Sequence, residues 1–285
     1  MLTPAGEPGK GYTGAAITAF YAYTLARALL KYGADLHAGV QMGNHLHNDI
    51  TDRLANRPNF KNSVHSNLAR GINARRGRND SLFAGGGSCD TLTPADEQTL
   101  NDLAYTDTNP VVAGLVKWGH LWPGFTTYGW KFGETRVFRR PNWYYDPANP
   151  DNPESVAITR VRPKILLELT DDELFDKLMD RCRQLERDKQ AQMKAENRRF
   201  MGLSKLSKSK WWRKPSSWED RYAVKPKVAS SDKWKRIAEL VKNQHWACAY
   251  AKARDEYRAG DDPVFPYGTY LLRVRYEVRV ADQPP

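Results

Sequence analysis

The chain of 285 residues is long enough to bury a substantial core, and its 44 Lys and Arg against 33 Asp and Glu give a net charge of +11 that favours a polyanionic partner. Its three cysteines lie far apart with no CxxC pair, which excludes a disulfide framework and a thiolate zinc site. No segment has the pattern of a signal peptide or a membrane span, so the sequence predicts a soluble, cytoplasmic protein with no membrane partner.

The first 80 residues predict two helices around one strand. Helical spacing of apolar residues runs from 18 to 32, and Gly33 is the expected stop. Strict alternation over residues 36–50 predicts a single strand. Its apolar face carries Val40, Met42, Leu46 and Ile50, and its polar face carries Gln41, His45, His47 and Asp49. After Pro58, a four-residue repeat predicts a helix with a core stripe of Phe60, Val64, Leu68 and Ile72.

A third helix is predicted to begin at Thr93, which has the side chain of an N-cap and is followed by Pro94 and two acidic residues. We expect this helix to bend or stop near Asn109, because Pro110 disfavours helical geometry in the residue before it. If the helix persists that far, Tyr105 and Asn109 lie about one turn apart on the same face.

The middle of the chain predicts a hairpin and a long helix. Residues 135–141 and 155–163 have the alternation of two strands, joined by a loop rich in Pro and Asn. Thr170 and Glu173 form a capping box that opens a charged helix to about Phe200.

The C-terminal part predicts a basic segment, one helix and one strand. Residues 201–228 hold 8 basic and 2 acidic residues with interleaved tryptophans and are linker-like. Ser231 is predicted to cap a helix with an inward stripe, formed by Trp234, Ile237, Val241, His245 and Cys248. Alternation over residues 272–280 predicts a half-buried final strand.

The predicted elements mix helices and strands without a regular βαβ alternation, so the expected fold class is α+β. Residues 1–130 hold 11 basic and 10 acidic side chains, whereas residues 131–285 hold 33 and 23. We therefore expect a first domain over 1–130 and a basic C-terminal extension over 131–285 that binds DNA. A merely solubilising surface is the alternative explanation of the charge.

His45 and His47 stand at i and i+2 of the predicted strand, so both imidazoles project to one face and can bind one ion. With a further amide oxygen, such a site suits Mg²⁺ or Mn²⁺ more than a closed structural zinc. Tyr105 near a metal-bound phosphate has the chemistry of a nucleophile. Short motifs often occur by chance, so a structural role is the better explanation of the histidine pair alone, and also of the Tyr105 and Asn109 pair alone. Only the presence of both motifs in one chain favours catalysis.

Two segments resemble a known family. MGNHLH, at residues 42–47, resembles the MxNHxH signature of HUH-type single-tyrosine transposases, and YTDTNPVVAGLV, at residues 105–116, resembles the Y-x-x-x-NPVxAGLV signature of the REP-associated tyrosine transposase group. The order and rough separation of the two motifs match, and NLARGINARRGR between them resembles the basic helix and turn of the same proteins. The resemblance covers about residues 18–125 well and the remainder poorly.

The resemblance implies a ferredoxin-like HUH core with an antiparallel sheet and flanking helices. It also implies that Tyr105 is the nucleophile and that a divalent ion, Mg²⁺ or Mn²⁺, is held by His45, His47 and Asn109. In such enzymes the tyrosine cleaves single-stranded or hairpin DNA, forming a 5′-phosphotyrosine link and a free 3′-hydroxyl that can reverse the reaction. The implied protein is a monomer or homodimer that acts at a bacterial nucleoid.

Asp49 departs from the family pattern, which generally continues with apolar residues after the second histidine. By alternation Asp49 shares the histidine face, and we expect it to be solvated rather than a ligand.

DNA binding is predicted for basic and aromatic side chains in two groups: Arg70, Arg75, Arg76 and Arg78 near the core, and Lys208, Lys210, Trp211, Trp212, Arg213 and Lys214 in the tail. A solvated linker whose tryptophans dock on the core is the alternative for the tail.

The sequence therefore favours a metal-dependent transposase that cleaves and rejoins single-stranded DNA. The alternative is a catalytically silent nucleic-acid-binding protein derived from the same fold, which would bind DNA without forming a covalent adduct. A third possibility is an enzyme that processes RNA at a metal site. It would release hydrolysed RNA fragments without attached protein.

Overall fold

The computed structural model describes residues 14–79, 81–83, 90–93, 97–208, 227–230 and 232–282. Over these residues the α+β class is confirmed. The helices are α1 (Ala15–Tyr32), α2 (Arg57–Arg76), α3 (Glu97–Val112), α4 (Asp171–Ala195), α5 (Leu203–Lys208), α6 (Lys233–Ala259) and α7 (Tyr270–Tyr276). The strands are β1 (Ala34–Gln41), β2 (Leu46–Asp52), β3 (Thr135–Arg139), β4 (Ser155–Thr159), β5 (Val264–Phe265) and β6 (Arg279–Val280). Within the described ranges, none of the helices combines the length and apolarity needed to cross a bilayer.

The predicted single strand over residues 36–50 is wrong, because the chain reverses in the middle of it. β1 and β2 form an antiparallel hairpin, and the Met42 N–H donates to the His45 carbonyl across the turn at 2.9 Å. Residues paired directly across two strands point to the same face of the sheet. Val40 is paired with His47, so these two share a face, whereas Leu46 and Ile50 lie on the opposite face.

β1 also forms backbone hydrogen bonds along its other edge. The Gln41 N–H donates to the Phe125 carbonyl, and the Thr127 N–H donates to the Gly39 carbonyl. Further along, the Val161 N–H donates to the Leu36 carbonyl. β1 is therefore an inner strand, although the named strands of the described chain pair only as β1–β2, β3–β4 and the parallel β5–β6.

The hairpin separates two layers of helices. The face that carries Leu46 and Ile50 packs against α1 and α2 in one hydrophobic cluster. This cluster also contains Tyr145, Val156 and Ile158, so its members come from both sides of residue 130 in the sequence. The opposite face packs against α3. There Ala38 joins a cluster with α3 and α4, and Val40 joins one with the end of α3 and with Leu206 of α5.

Gly71 allows the close approach of α1 and α2. A methyl group added at Gly71 would lie 2.3 Å from the tip of the buried Phe20 ring. We expect Gly71→Ala to lower the free energy of unfolding by about 1–3 kcal/mol, since a packed ring must shift to admit the new atom. Gly14→Ala is the control for the added volume, because nothing lies within 4 Å of its methyl group, and its position as N-cap of α1 costs it at most about 1 kcal/mol. Urea denaturation of both variants tests this, and equal midpoints would contradict it.

Several other local predictions are confirmed. The stripe of Phe60, Val64, Leu68 and Ile72 is buried along α2, and Gly33 ends α1 in the left-handed conformation with φ 64°. The Thr170 and Glu173 capping box is present, and β3 and β4 form the predicted hairpin. The helix α4 ends at Ala195, before the expected Phe200.

The C-terminal predictions are partly wrong. Asp232 caps α6, since its side chain accepts from the Trp234 and Lys235 N–H groups, and the predicted cap Ser231 lies outside the described residues. The expected inward stripe is exposed, with Trp234 at 74% exposure, and only Ala253 of α6 is buried among the described residues. The expected final strand over 272–280 is the short helix α7 followed by β6.

Candidate active site

The helix α3 carries the two predicted site residues that do not belong to the hairpin. It does not stop at Asn109 but continues through Pro110 to Val112, which corrects the predicted boundary. The proline is tolerated because it stands close to the end of the helix, where the Leu115 N–H turns back to the Pro110 carbonyl at 3.0 Å. Helical geometry at residues 105–109 places Tyr105 and Asn109 on one face, one turn apart.

All four predicted site residues lie together where α3 crosses the hairpin face that carries His47. The ring centroids of His45 and His47 are 4.9 Å apart. The Tyr105 ring lies 6.0 Å from the His47 ring, nearly perpendicular to it, and the Asn109 Nδ2 atom lies 3.3 Å from His47 Nε2. The phenol is 45% exposed, so a ligand reaches it from solvent.

The electrostatic surroundings keep His47 neutral. Burial and, to a smaller extent, the neighbouring His45 together lower the pKa of His47 to about 4. A neutral imidazole has a lone pair on one nitrogen, which is the form that binds metal ions. His45 is oriented through its Nδ1 atom, which lies 2.7 Å from Asn44 Oδ1.

Asn109 supplies an oxygen that has no hydrogen-bond partner among the described residues. Its side chain is 4% exposed, and its Oδ1 atom is buried. A buried polar atom without a partner costs free energy unless a ligand satisfies it. The Nδ2 atom of Asn109, and not its Oδ1 atom, faces His47, so the amide group must turn over for the oxygen to reach an ion held by His47. With the amide turned, two imidazole nitrogens and one amide oxygen suit a divalent ion that keeps water or phosphate oxygens in its remaining positions.

This donor set depends on the amide oxygen as third ligand. In the described ranges there is no group of three or more His, Cys, Asp and Glu side chains that could hold a metal ion. Asp49, beside His47, is therefore not placed to complete a site with both histidines.

The expectation that Asp49 is solvated is wrong. Burial raises the pKa of the Asp49 carboxyl to about 7, while a hydrogen bond from Thr106 acts in the opposite direction. Its Oδ2 atom is buried and has no hydrogen-bond partner among the described residues. The hairpin face under α3 thus contains a carboxyl group that is shielded from water.

A buried ion pair, which the sequence analysis did not identify, fixes α3 on the core. Arg160 donates to Asp107 of α3 at 2.9 Å, and both side chains are fully buried. Its other nitrogens donate to the carbonyls of His37, Thr127 and Trp130. Asp107 stands between Tyr105 and Asn109 in the sequence, so this network sets the rotation of the helix that presents them.

The predicted DNA-binding residues fall in three places. Arg70, Arg75, Arg76 and Arg78 belong to α2 and the turn after it, in the layer opposite to α3. Lys208 is exposed at the end of α5, whose Leu206 packs with Met42 and Val111, so it lies on the same side as the candidate active site. Lys210, Trp211, Trp212, Arg213 and Lys214 lie outside the described residues.

No family model matches the chain, and neither the curated proteins nor the solved structures include a significant match. The resemblance to single-tyrosine transposases therefore depends on the two quoted motifs and on the juxtaposition of their residues.

Proposed function

We propose that this protein is a metal-dependent enzyme that cleaves and rejoins single-stranded DNA through Tyr105, as in transposition. The observation that carries the proposal is that Tyr105, His45, His47 and Asn109, from two motifs far apart in the chain, lie at one site, at which Tyr105 is exposed. A ferredoxin-like HUH core is part of the proposal, and it includes segments after residue 130, because Tyr145, Val156 and Ile158 belong to the hydrophobic cluster of α1 and α2.

His45, His47 and Asn109 would hold the divalent ion, Mg²⁺ or Mn²⁺. Such an ion offsets the negative charge that develops on a phosphate during displacement. Neutral His47 and the buried Asn109 oxygen favour this role, because neither must lose a proton to act as a ligand.

Tyr105 would act as the nucleophile. Its oxygen forms a bond to the phosphorus as the bond to the 3′ oxygen of the preceding nucleotide breaks. The phenolic proton passes to water, and the leaving oxygen takes up a proton to become a free 3′-hydroxyl. The phosphodiester energy stays in the phosphotyrosine, so the 3′-hydroxyl can attack it and rejoin the strand without ATP.

The experiment that tests the proposal is incubation with single-stranded oligonucleotides and Mn²⁺, followed by denaturing electrophoresis. A 3′-labelled strand should migrate with the protein, and a 5′-labelled strand should yield a shorter free fragment. DNA binding with no adduct on a set of hairpin substrates would favour the catalytically silent alternative, and labelled fragments without attached protein would favour hydrolysis.

We expect His47→Ala to weaken Mn²⁺ binding by at least about 10-fold, since one of the three proposed protein ligands is removed. Isothermal titration calorimetry of the free protein measures this without relying on catalysis. His120→Ala is the matched control, because His120 is exposed and stands in the short 3₁₀ helix Gly119–Leu121. Equal Mn²⁺ affinity in the two variants would show that His47 is not a metal ligand.

A further inference from the structure

A polar cleft lies between α1, α2 and the long connection from β3 to β4. Its volume is about 670 Å³, within the range of small-molecule sites. The helices α1 and α2 pack on the face of the hairpin opposite to α3, so this cleft belongs to a different layer from Tyr105. The side chains that matter most here are Arg27, Lys31, Tyr32, Asn67, Arg70 and Tyr144, which all line it.

The cleft has an excess of positive charge. Three of its lining side chains are cations, Arg27, Lys31 and Arg70, and Arg70 is exposed. Asp151 offsets part of this charge, because its carboxylate pairs with Lys31 at 3.1 Å and its carbonyl accepts from Arg27. The lining acid Asp146 is engaged in a turn, where its carboxylate accepts from the Ala148 N–H at 2.9 Å. The three cations still outnumber the carboxylates of Asp146 and Asp151, and a cleft with a positive excess concentrates anions.

Aromatic rings line the same cleft and are held in place. Tyr144 donates to Asn67 at 3.3 Å and packs edge-on against the buried Phe20 ring, with centroids 5.0 Å apart. Tyr32 and Tyr144 are both half-buried, and Arg27 lies over the ring of Tyr145 at 4.8 Å. Rings fixed by packing give up little conformational freedom when a base stacks on them.

Cations bind phosphates, aromatic rings stack on bases, and amide side chains hydrogen-bond to base edges. The cleft combines all three, because Asn62, Asn149 and Asn152 also line it. We propose that it binds a nucleotide unit of single-stranded DNA, at a distance from the site where the strand is cleaved. The identity of the ligand rests on the proposed function, whereas the site itself is argued from its lining.

The test measures DNA binding apart from catalysis. In a Tyr105→Phe background without metal, a fluorescent single-stranded oligonucleotide is titrated with protein at several salt concentrations. We expect Lys31→Ala with Arg70→Ala to weaken binding at least about 10-fold and to reduce the dependence of log K on log salt by one to two units.

The matched control is Lys177→Ala with Arg181→Ala. It removes the same charge from exposed positions of α4, outside the cleft, and we expect it to change affinity less than about 3-fold. Equal weakening in both double variants would overturn the proposal, because only net charge would then matter. A deoxynucleoside monophosphate that binds as tightly as the oligonucleotide would overturn the assignment to a strand.

The proposed function and the inference about the cleft can be contradicted independently. If wild-type protein forms no adduct but the cleft variant alone loses DNA affinity, the cleft inference stands and the proposed function falls. If the adduct forms and both double variants bind equally, the function stands and the cleft inference falls.

Discussion

We expect the Tyr105→Phe variant to form no covalent adduct with single-stranded DNA, with the yield reduced at least about 1000-fold. Phenylalanine keeps the ring that lies 6.0 Å from His47 and removes only the oxygen that would attack phosphorus. DNA and Mn²⁺ binding should therefore remain close to wild type. Denaturing electrophoresis of a 3′-labelled oligonucleotide after incubation with Mn²⁺ measures the yield.

Tyr257→Phe is the matched control for this variant. Tyr257 is 44% exposed, close to the 45% of Tyr105, but it lies on α6 in the C-terminal part of the chain. It should retain the full yield of adduct. An adduct that persists in Tyr105→Phe would assign the nucleophile to another residue, and loss in both variants would point to damage unrelated to the site.

The elements predicted correctly from the sequence are those that local patterns specify. The stripe of α2 and the capping box of α4 are signals within a few turns of one helix, and both are present. The proximity of Tyr105 and Asn109 follows from the four-residue spacing as soon as α3 persists to Val112. None of these required knowledge of which elements meet in three dimensions.

The hairpin was missed because the alternation of residues 36–50 runs on through a turn. Gly43 and Asn44 are a typical turn pair, yet the polar and apolar sequence around them matches a continuous strand. A two-residue turn changes which residues share a face, so Val40 meets His47 instead of Leu46. The predicted convergence of the histidines survives, since His45 and His47 remain two residues apart on one side of the turn.

The prediction that α6 has a buried apolar stripe is wrong for a different reason. Helical spacing of apolar residues shows that a helix has an apolar side, but not whether another element covers that side. In the described part of the chain α6 contacts mainly the small C-terminal cluster around Ala253 and Phe265, and its N-terminal turns leave Trp234 and Val241 exposed. Burial is a tertiary property that the spacing alone does not determine.

The burial of the charged residue Arg160 likewise does not follow from the sequence pattern. In the sequence it is one of several arginines in an alternating segment, where the outward positions are expected to be charged. In the structure it is fully buried, and it connects β1, α3 and the segment before β3 through four hydrogen-bond acceptors. Only the positions of those acceptors in space distinguish it from its exposed neighbours.

Arg160→Met should therefore lower the free energy of unfolding by about 3–5 kcal/mol. Methionine fills much of the volume, but the carboxylate of Asp107 loses its partner at 2.9 Å in a site without water access. The carbonyls of His37, Thr127 and Trp130 lose donors as well, which adds to the cost. Urea denaturation followed by circular dichroism measures the change.

Arg136→Met is the matched control, since Arg136 pairs with Glu134 at the surface and lies 4.1 Å over the ring of Trp130. We expect this variant to lose less than about 1 kcal/mol, as exposed pairs contribute little. Adding Asp107→Leu to Arg160→Met should recover part of the stability, because no uncompensated buried charge remains. If Arg160→Met is no less stable than the control, the buried ion pair does not hold α3, and the position of Tyr105 and Asn109 must depend on the apolar contacts of α3 with α4 instead.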